Sequence, residues 1–337
     1  MVAYESVPLP SCGSRPSRQE IAADVHRWVV SPPMRDLVDA FGGTLPATAG
    51  EAATASLLAW LDDFSDGCWN FRKGAERPDA REPDLDAAER ALVLAAAEAL
   101  GLVRATTPRH DSYTHLIVLG GLARACLQRN SYAAALLASG RVGRPEVAAL
   151  GSGRELTKLE HELLRDQGAP GCRNEMDVMD VGVRRYLGFR DPVAEEAHLD
   201  PDNTNLSSCI RTYQRDGGPT VRVLAAPSSD PERRRANTAD TQRYWAEQVT
   251  LTPNDRVLVV TSAIYVPFQH ADALRTLGVP FDVDVDTVGV EADWSHEPSL
   301  HQPVTPGKYL QEIRSGIRSM RSLLAAVEVT TPASAPV

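Results

Sequence analysis

The N-terminal third of the chain repeats its apolar positions with the period of an amphipathic helix. Ile21, Val25 and Trp28 recur at spacings of three and four residues, which places their side chains on one helix face. The Ala-rich run 86–100 keeps the same period, and Gly101 follows it as a residue that commonly ends helices. We therefore predict a helical region over residues 1–110.

Residues 66–84 interrupt this helical region with a segment rich in glycine, proline and charged residues. Such a composition predicts a loop. The loop is also dense in side chains that commonly contact ligands: Trp69, Arg72, Lys73, Glu76 and Arg77. We therefore consider it a candidate lid over a ligand pocket, with a simple contact between domains as the alternative.

From residue 111 onward the pattern changes to short apolar runs that alternate with amphipathic segments. The runs predict strands at residues 115–119, 134–138, 221–225, 256–260 and 281–288. The segments between them predict helices at residues 174–187, 238–248, 269–277 and 308–325. Alternation of this kind is typical of a mostly parallel sheet with helices on both faces. Because aspartates alternate along 281–288, we place that strand at a sheet edge.

These patterns predict an α/β protein with a three-layer sandwich over residues 111–328. The helical region 1–110 precedes this domain, and residues 329–337 form a frayed tail. Residues 190–218 contain several turn signals and are predicted as a long loop or insertion.

The charge of the chain restricts its partners. The chain has 45 acidic and 35 basic residues, which gives a net charge of -10. Phosphate and anionic lipid repel such a protein. Nucleic acid and membranes are therefore not expected as partners, and a small-molecule ligand is.

The cysteines and the N-terminus indicate the compartment. The chain has five cysteines, and none of them form a Cys-x-x-Cys pair, which argues against a disulfide framework and a zinc site. His296 and His301 are also wrongly spaced for a helical metal motif, and Pro298 lies between them. The polar N-terminus lacks the apolar segment of a signal peptide. We expect a cytoplasmic protein without a metal.

Ligands of open parallel sheets bind beyond the carboxyl ends of the strands, where loops and helix N-termini meet. Small residues follow several predicted strands and leave room for a ligand near the backbone. These candidate ligand-binding residues are Gly120, Gly121, Ser139, Gly140, Arg141, Thr261 and Ser262. The segment 151–153 (Gly-Ser-Gly) resembles part of a dinucleotide-binding motif, but no predicted strand precedes it.

A further candidate is the helix start at Asn237, Thr238 and Asp240, which follows three consecutive arginines at 233–235. The pattern is typical of an N-terminal cap, in which Asn237 accepts from a backbone amide and Asp240 reaches back. A helix start at the sheet edge also faces a pocket, so a ligand-binding role stays open. The arginines are either a solvated surface or contacts for an acidic ligand.

The order of these motifs resembles the YdcF-like domain family, which includes the SanA and ElyC envelope proteins. The resemblance covers residues 115–291 and rests on five short motifs. They are Leu119-Gly120-Gly121, Ser139-Gly140, Asn174-Glu175, Asn237-Thr238-Ala239-Asp240 and Val260-Thr261-Ser262. The resemblance implies a Rossmann-like sheet and a ligand pocket that these residues line.

The resemblance also implies a ligand class, because one member of that family binds S-adenosylmethionine. S-adenosylmethionine or a related nucleotide is therefore the expected cofactor. Where the family carries histidine and arginine after the Thr-Ser motif, this chain has Tyr265 and Phe268. That difference favours a planar or apolar ligand group at this loop. We expect an anionic ligand group near Gly121 and Arg141.

We therefore expect a small-molecule-binding protein with a nucleotide-like ligand at the carboxyl ends of the strands. Whether it catalyses a reaction stays open; if it does, Glu175 is the candidate acid or base. Two alternatives remain. One is a hydrolase or transferase of specialised metabolism that acts on a small substrate with a phosphate or carboxylate group, with Arg141 and the arginines near Arg235 as the cations that hold this group. The other is a non-catalytic interaction protein.

Overall fold

The structure, a computed structural model, describes residues 3–11, 17–47, 50, 53–71 and 82–328. The predicted tail at 329–337 and the central part of the predicted lid, residues 72–81, lie outside the described residues. The chain groups into two units. One contains the chain up to Leu102 together with the segment from Thr305 onward, and the other contains Val103–Val304.

The first unit is helical, as the sequence predicts. Its helices are α1 (Arg18–Val29), α2 (Pro32–Ala40), α3 (Thr54–Trp69), α4 (Ala87–Ala99) and, from the C-terminus, α11 (Pro306–Glu328). The apolar face of α1 is buried in the core of the unit. Ser17 and Asp86 form capping boxes at the starts of α1 and α4, which satisfy amides that have no partner within the helix.

The final helix belongs to this first unit, whereas the sequence placed it with the α/β region. Its buried apolar face includes Leu310, Ile313 and Ile317, and it packs against α1, α3 and α4. Arg321 and Arg314 of α11 also pair with Asp62 and Asp66 of α3, at 2.9 and 2.5 Å. Helix-period patterns show which face is apolar but not which partner covers it, so the grouping could not be inferred from the pattern.

The beginning of the predicted lid loop is part of this helical core. Trp69 is the last residue of α3 and is fully buried. Its ring packs edge-on against Phe41 and Phe64, with centroid distances of 5.9 and 5.5 Å. Trp69 is therefore a core residue, and the other side chains that suggested a lid, from Arg72 to Arg77, lie outside the described residues.

The second unit contains one sheet of seven strands. The strands are β1 (His115–Leu119), β2 (Glu146–Gly151), β3 (Ala194–His198), β4 (Ser208–Tyr213), β5 (Val221–Ala225), β6 (Arg256–Ser262) and β7 (Asp284–Val290). Their order across the sheet is β3-β4-β5-β2-β1-β6-β7. The neighbours β5, β2, β1, β6 and β7 pair in parallel, and β4 pairs antiparallel with both β5 and β3, so β4 is the one strand of the seven that runs in the opposite direction. The α/β class and the mostly parallel sheet are confirmed.

Helices pack on both faces of this sheet. They are α5 (Ala123–Ala138), α6 (Lys158–Asp166), α7 (Glu175–Tyr186), α8 (Thr238–Glu247) and α9 (Val266–Ala273), which continues through a π-helical turn (Leu274–Gly278) into the short α10 (Val279–Phe281). Leu116 of β1 shares a buried cluster with residues of α5 and α7. The neighbouring His115 contacts Trp245 of α8 instead, with ring centroids 5.3 Å apart, because successive strand residues point to opposite faces. Within the described ranges, no helix combines the length and apolar character that crossing a membrane requires.

The predicted strand at 134–138 is wrong, because these residues are the last turn and a half of α5. The second strand along the chain is β2, whose last residue, Gly151, is the first residue of the Gly-Ser-Gly segment. Alanine and leucine favour helices, and a five-residue apolar run has no period of its own that distinguishes a helix from a strand. Gly140 ends α5 with a φ of +72°, a left-handed conformation typical of a glycine after a helix.

The predicted loop at 190–218 is also wrong in part, because it contains β3 and β4. These two strands pair with each other and extend the sheet beyond β5. Every residue of β3 is exposed, and its sequence, Ala-Glu-Glu-Ala-His, has no apolar alternation. A strand that buries neither face leaves no hydrophobic signal in the sequence.

β7 lies at a sheet edge, as predicted, but its aspartates are buried rather than solvated. Residues before β1 cover them. The Arg109 guanidinium lies 3.1 Å from the Asp284 carboxylate, and His110 Nε2 lies 2.7 Å from the same group. Tyr113 donates a hydrogen bond of 2.6 Å to Asp286. This edge of the sheet is therefore closed by polar contacts.

The contact between Tyr113 and Asp286 should contribute measurably to stability. Replacing Tyr113 by Phe removes a buried hydrogen bond to a charged group, and we expect a loss of about 1.5–3 kcal/mol in the free energy of unfolding. Denaturant titration measures it. Tyr244→Phe is the control, since the Tyr244 hydroxyl has no hydrogen bond among the described residues. Equal unfolding midpoints for both variants would contradict the expectation.

Candidate functional site

The carboxyl ends of β1, β2 and β6 bring together a group of small and charged residues. We call this group the carboxyl-edge site. Its members are Gly120, Arg129, Ser152, Arg154, Glu175 and Ser262. The strands are parallel neighbours, so their ends meet at one edge of the sheet, where α5 and α7 also begin.

Glu175 occupies the centre of the site. It is the first residue of α7 and is 8% exposed. The Ser152 hydroxyl donates a hydrogen bond of 2.6 Å to its Oε2 atom. Among the residues that the structure describes, no hydrogen bond reaches the other carboxyl oxygen, Oε1. One oxygen is therefore anchored by the protein, and the other has no hydrogen-bond donor within the described residues.

Oε1 faces the backbone at Gly120. A Cβ atom at position 120 would lie 2.3 Å from Oε1 and 2.6 Å from the carbonyl oxygen of Leu150. No side chain fits in that space, so glycine is required for the strand end to approach the carboxyl group. At Gly121 the nearest atom to such a Cβ would be 3.4 Å away, an ordinary contact distance.

The surroundings of Glu175 act on its pKa in opposite directions. Burial raises the pKa of this carboxyl, while the Ser152 hydrogen bond and the charges of Arg154, Arg235 and Arg129 lower it. Burial prevails, so the pKa of Glu175 lies above its ordinary value. A carboxyl group with a raised pKa can release or accept a proton closer to neutral pH, as general acids and bases do.

Arg129 joins the ends of two strands from inside α5. Its side chain is almost fully buried. Nε donates to the hydroxyl of Ser262 at 3.1 Å, and Nη1 donates to the carbonyl oxygens of Leu119, at 2.9 Å, and Gly120. The guanidinium carbon also lies 5.5 Å from the centre of the Tyr265 ring. Arg129 therefore brings a positive charge and an aromatic ring to the same edge.

Arg154 forms a bidentate ion pair with Glu160 of α6. Its two terminal nitrogens lie 2.8 and 2.9 Å from the two carboxylate oxygens. Arg154 also donates to the carbonyl of Gly121 at 3.0 Å, and its Nε lies 3.8 Å from Oε2 of Glu175. The Glu160 carboxylate in turn accepts from the backbone amide of Ala123 at 2.8 Å. These contacts connect α6 to the turn between β1 and α5.

The Glu160 carboxylate is strongly stabilised in its charged form. Burial alone would raise its pKa, but hydrogen bonds from Arg154, Thr157 and Ala123 and the charge of Arg154 lower the pKa of Glu160 to about 2. Within the described part of the chain, no cluster of three or more His, Cys, Asp or Glu side chains is placed to hold a metal ion.

The structure brings most of the predicted ligand-binding residues to this edge. Gly120 and Gly121 follow β1, and Ser262 ends β6. The side chain of Thr261 is buried and donates to Gln269, so it faces the protein interior. Tyr265 and Phe268 follow β6, where their rings meet edge-on with centroids 5.8 Å apart.

The helix start at Asn237 has the predicted cap geometry. The side chain of Asn237 accepts from the amide of Asp240 at 3.0 Å, and Asp240 accepts from the amide of Asn237 at 3.0 Å. Asp240 also pairs with Arg234. The cap at Asn237, Thr238 and Asp240 is confirmed, and a ligand-binding role for these residues stays a prediction.

Ser139, Gly140 and Arg141 lie at the opposite edge of the sheet. They follow the C-terminus of α5, and the next residue, Val142, accepts a hydrogen bond of 3.1 Å from the amide of Tyr113. Tyr113 precedes the amino end of β1. The prediction that Gly121 and Arg141 together hold one anionic group is therefore wrong, because the sheet separates them.

Four residues of this region were not predicted: Arg129, Ser152, Arg154 and Glu160. Ser152 was missed because β2 was not recognised as a strand. Arg129 had a signal in the sequence, since the polar run 128–130 interrupts an otherwise apolar helix, and all three side chains are buried. A buried polar run in a helix indicates specific partners.

Comparison with known proteins assigns the chain to a family. A family model described as the Rv3785 N-terminal domain matches residues 12–101, the segment that contains α1–α4. The uncharacterized protein Rv3785 of Mycobacterium tuberculosis strain H37Rv is 31% identical over 95% of this chain and 94% of its own length. The uncharacterized protein Mb3814 of Mycobacterium bovis shows the same identity and coverage. The chain belongs to the Rv3785 family. No solved structure matches it.

This assignment corrects the resemblance drawn from the sequence. Membership of the YdcF-like family is contradicted, because the family model and the full-length relatives are those of Rv3785. One of the five motifs, Ser139-Gly140, also follows a helix instead of a strand. Short motifs rich in glycine and serine recur at strand ends in unrelated α/β proteins, so their order is not specific to the YdcF-like family.

The close approach at Gly120 can be tested by a pair of substitutions. Gly120→Ala places a methyl group against a backbone carbonyl and Oε1, and we expect a loss of about 1–3 kcal/mol in the free energy of unfolding. Gly121→Ala meets only ordinary contacts and should change stability by less than about 0.5 kcal/mol. Thermal and denaturant unfolding of both variants measure the difference. Equal losses would show that the strand end is not constrained at Gly120.

The lowered pKa of Glu160 predicts a specific acid sensitivity. The stability that the ionised carboxylate contributes is complete above its ordinary pKa of 4.5 and is lost as the pH falls toward about 2. Glu160→Gln cannot ionise, so its stability should fall less over this range, by a difference of about 3 kcal/mol. Unfolding at a series of pH values measures this, and Glu162→Gln on the same helix should follow the wild type. Parallel curves for wild type and Glu160→Gln would refute the expectation.

Proposed function

We propose that this protein binds a small molecule at the carboxyl-edge site and that Glu175 exchanges a proton with it. The observation that carries the proposal is the state of the Glu175 carboxyl group. Ser152 anchors one oxygen, the other has no hydrogen bond within the described residues, and burial raises the pKa of the group. Buried carboxyls with shifted pKa values are concentrated at functional sites.

The position of the group in the sheet supports the same proposal. We regard the sheet as Rossmann-like, and in open α/β sheets ligands bind outside the carboxyl ends of the strands. Glu175 lies at the ends of β1 and β2, the central strands of the order. A carboxyl group with only a packing role would not need to lie at the carboxyl ends of the central strands.

The aromatic residues beside the site suggest a planar ligand group. The Tyr265 ring lies next to the Arg129 guanidinium and meets Phe268 edge-on. A nucleotide-like or other ring-bearing molecule fits such a surface, since rings and guanidinium groups stack on aromatic faces. S-adenosylmethionine was expected only through the YdcF resemblance, so we do not propose it here.

An enzyme is the form of function that this geometry supports best, because a binding protein has no use for a proton-exchanging group. For the alternative of an anionic substrate, Arg235 stays a candidate cation, since its charge acts on Glu175. Arg141 is not, because it lies at the opposite edge. We keep the cytoplasm as the proposed compartment, where cysteines such as the described Cys68, Cys126, Cys172 and Cys209 stay reduced.

Glu175→Gln separates function from stability. The substitution keeps the shape and the Ser152 contact but removes the buried charge. A raised pKa means that the folded state loses stability as the pH rises above the ordinary value of 4.5. The variant should therefore melt at the same temperature as the wild type or higher at pH 7. Proton transfer should fall by about 100-fold or more.

Native mass spectrometry of the protein as isolated identifies the bound small molecule, and calorimetry with that molecule gives its affinity for each variant. Glu247→Gln, an exposed change at the far end of α8, is the control and should behave as the wild type. The proposal fails if Glu175→Gln binds and converts the molecule as the wild type does. A large drop in melting temperature would indicate a structural role for Glu175 instead.

A further inference from the structure

The turn between β1 and α5 has the parts of an anion-binding site. α5 is a helix of 16 residues that begins directly after this turn, and the first amides of a helix attract negative charge. The guanidinium of Arg154 lies beside the same turn, where it donates to the Gly121 carbonyl at 3.0 Å. A helix amide and a guanidinium at one point are the groups that proteins use to hold phosphates and carboxylates.

The protein's own Glu160 already fills this position. Its carboxylate accepts from the Ala123 amide at 2.8 Å and from both terminal nitrogens of Arg154, at 2.8 and 2.9 Å. It also accepts from the amide and the hydroxyl of Thr157, at 2.9 and 3.0 Å. The Glu160 side chain is 6% exposed, so it is a buried part of the turn and not an exposed surface group.

We propose that Glu160 excludes anionic groups from the β1–α5 turn, so that the ligand presents an uncharged or cationic group to Gly120 and Glu175. The carboxylate neutralises the Arg154 guanidinium and accepts from the Ala123 amide at the turn. A ligand phosphate placed there would meet a negative charge and no free donor from either group. Glu160 is thus a specificity-determining residue that selects unphosphorylated groups, such as a nucleoside end, an amine or an alcohol.

The available oxygen of Glu175 agrees with this class of ligand. An amine or hydroxyl of the ligand can donate to Oε1, which has no hydrogen bond within the described residues. This assignment of the ligand class depends on the proposed function, whereas the exclusion of anions by Glu160 can be tested without it.

The experiment uses Glu160→Ala and small anions. The substitution removes the carboxylate but leaves the Ala123 amide and the Arg154 guanidinium. Melting temperatures are measured in increasing acetate, phosphate and sulfate, with chloride at matched ionic strength. We expect a lower melting temperature for the variant in chloride, restored by acetate or phosphate through mass action. Its apparent affinity for phosphate should be at least about tenfold higher than that of the wild type.

Two further variants are controls for the anion response of Glu160→Ala. Glu162→Ala, on the same helix but half-exposed, should show no anion response. Glu160→Ala combined with Arg154→Ala should lose the response, because the cation is gone. Equal phosphate affinity in wild type and Glu160→Ala would overturn the proposal. So would a double variant whose melting temperature is still raised by acetate or phosphate although Arg154 is absent. If Glu160→Ala does not fold, Glu160→Gln takes its place, and the same absence of a gain in phosphate affinity would overturn the proposal.

The ligand class is tested on the wild type with matched probes. A nucleoside and its 5′-monophosphate are compared by calorimetry, and then again with Glu160→Gln. We expect the wild type to bind the nucleoside more tightly than its 5′-monophosphate. In Glu160→Gln, the ratio of these two affinities should fall at least tenfold. A wild type that prefers the phosphorylated probe would overturn the exclusion, even if Glu175 proves essential. A Glu175→Gln variant that binds and converts its small molecule as the wild type does would instead overturn the proposed function alone.

Discussion

The ion pair between Arg154 and Glu160 is the contact on which the site depends. Both groups are buried, and a buried charge without a partner is strongly destabilising. The pair therefore holds together everything that its two side chains touch: the loop after β2, the start of α6 and the turn after β1. Because these contacts fix the turn, Gly120 lies so close to the Glu175 carboxyl group that no side chain fits at position 120. The ion pair between Arg154 and Glu160 thus determines how closely the strand end at Gly120 approaches the Glu175 carboxyl group.

Two acidic groups a short distance apart have opposite properties because of this arrangement. Glu160 accepts several hydrogen bonds and has a lowered pKa, while Glu175 accepts one and has a raised pKa. Burial acts in the same direction on both, so the number of donors makes the difference. The first carboxyl group is committed to the structure. The second opposes folding at neutral pH, and the proton exchange that we propose for this group would explain that cost.

The sequence predicted those parts of the fold that carry a local signal. The strands at 115–119 and 221–225 are mostly apolar runs, and their predicted bounds are those of β1 and β5. β2 was missed because alanine fills its centre, and β3 because it is polar throughout. Glu175 and Gly120 could be identified from their places beside predicted elements. The polar run 128–130 could have marked Arg129 as a residue with specific partners, but its partner Ser262 could not be identified, since the contact spans 133 residues and depends on the tertiary arrangement.

The two outer strands of the sheet differ in a way that bears on how molecules of this protein meet one another. β7 is contacted by the chain before β1, in which Arg109 and Thr106 donate to the carbonyls of Val285 and Thr287. β3 is open along its whole length, but it carries Glu195 and Glu196 side by side. A second copy that approached this strand would bring its own glutamates against them, and such repulsion keeps sheets from joining into larger aggregates. The polarity that hid β3 from recognition as a strand is therefore also what allows it to remain uncovered in a crowded solution.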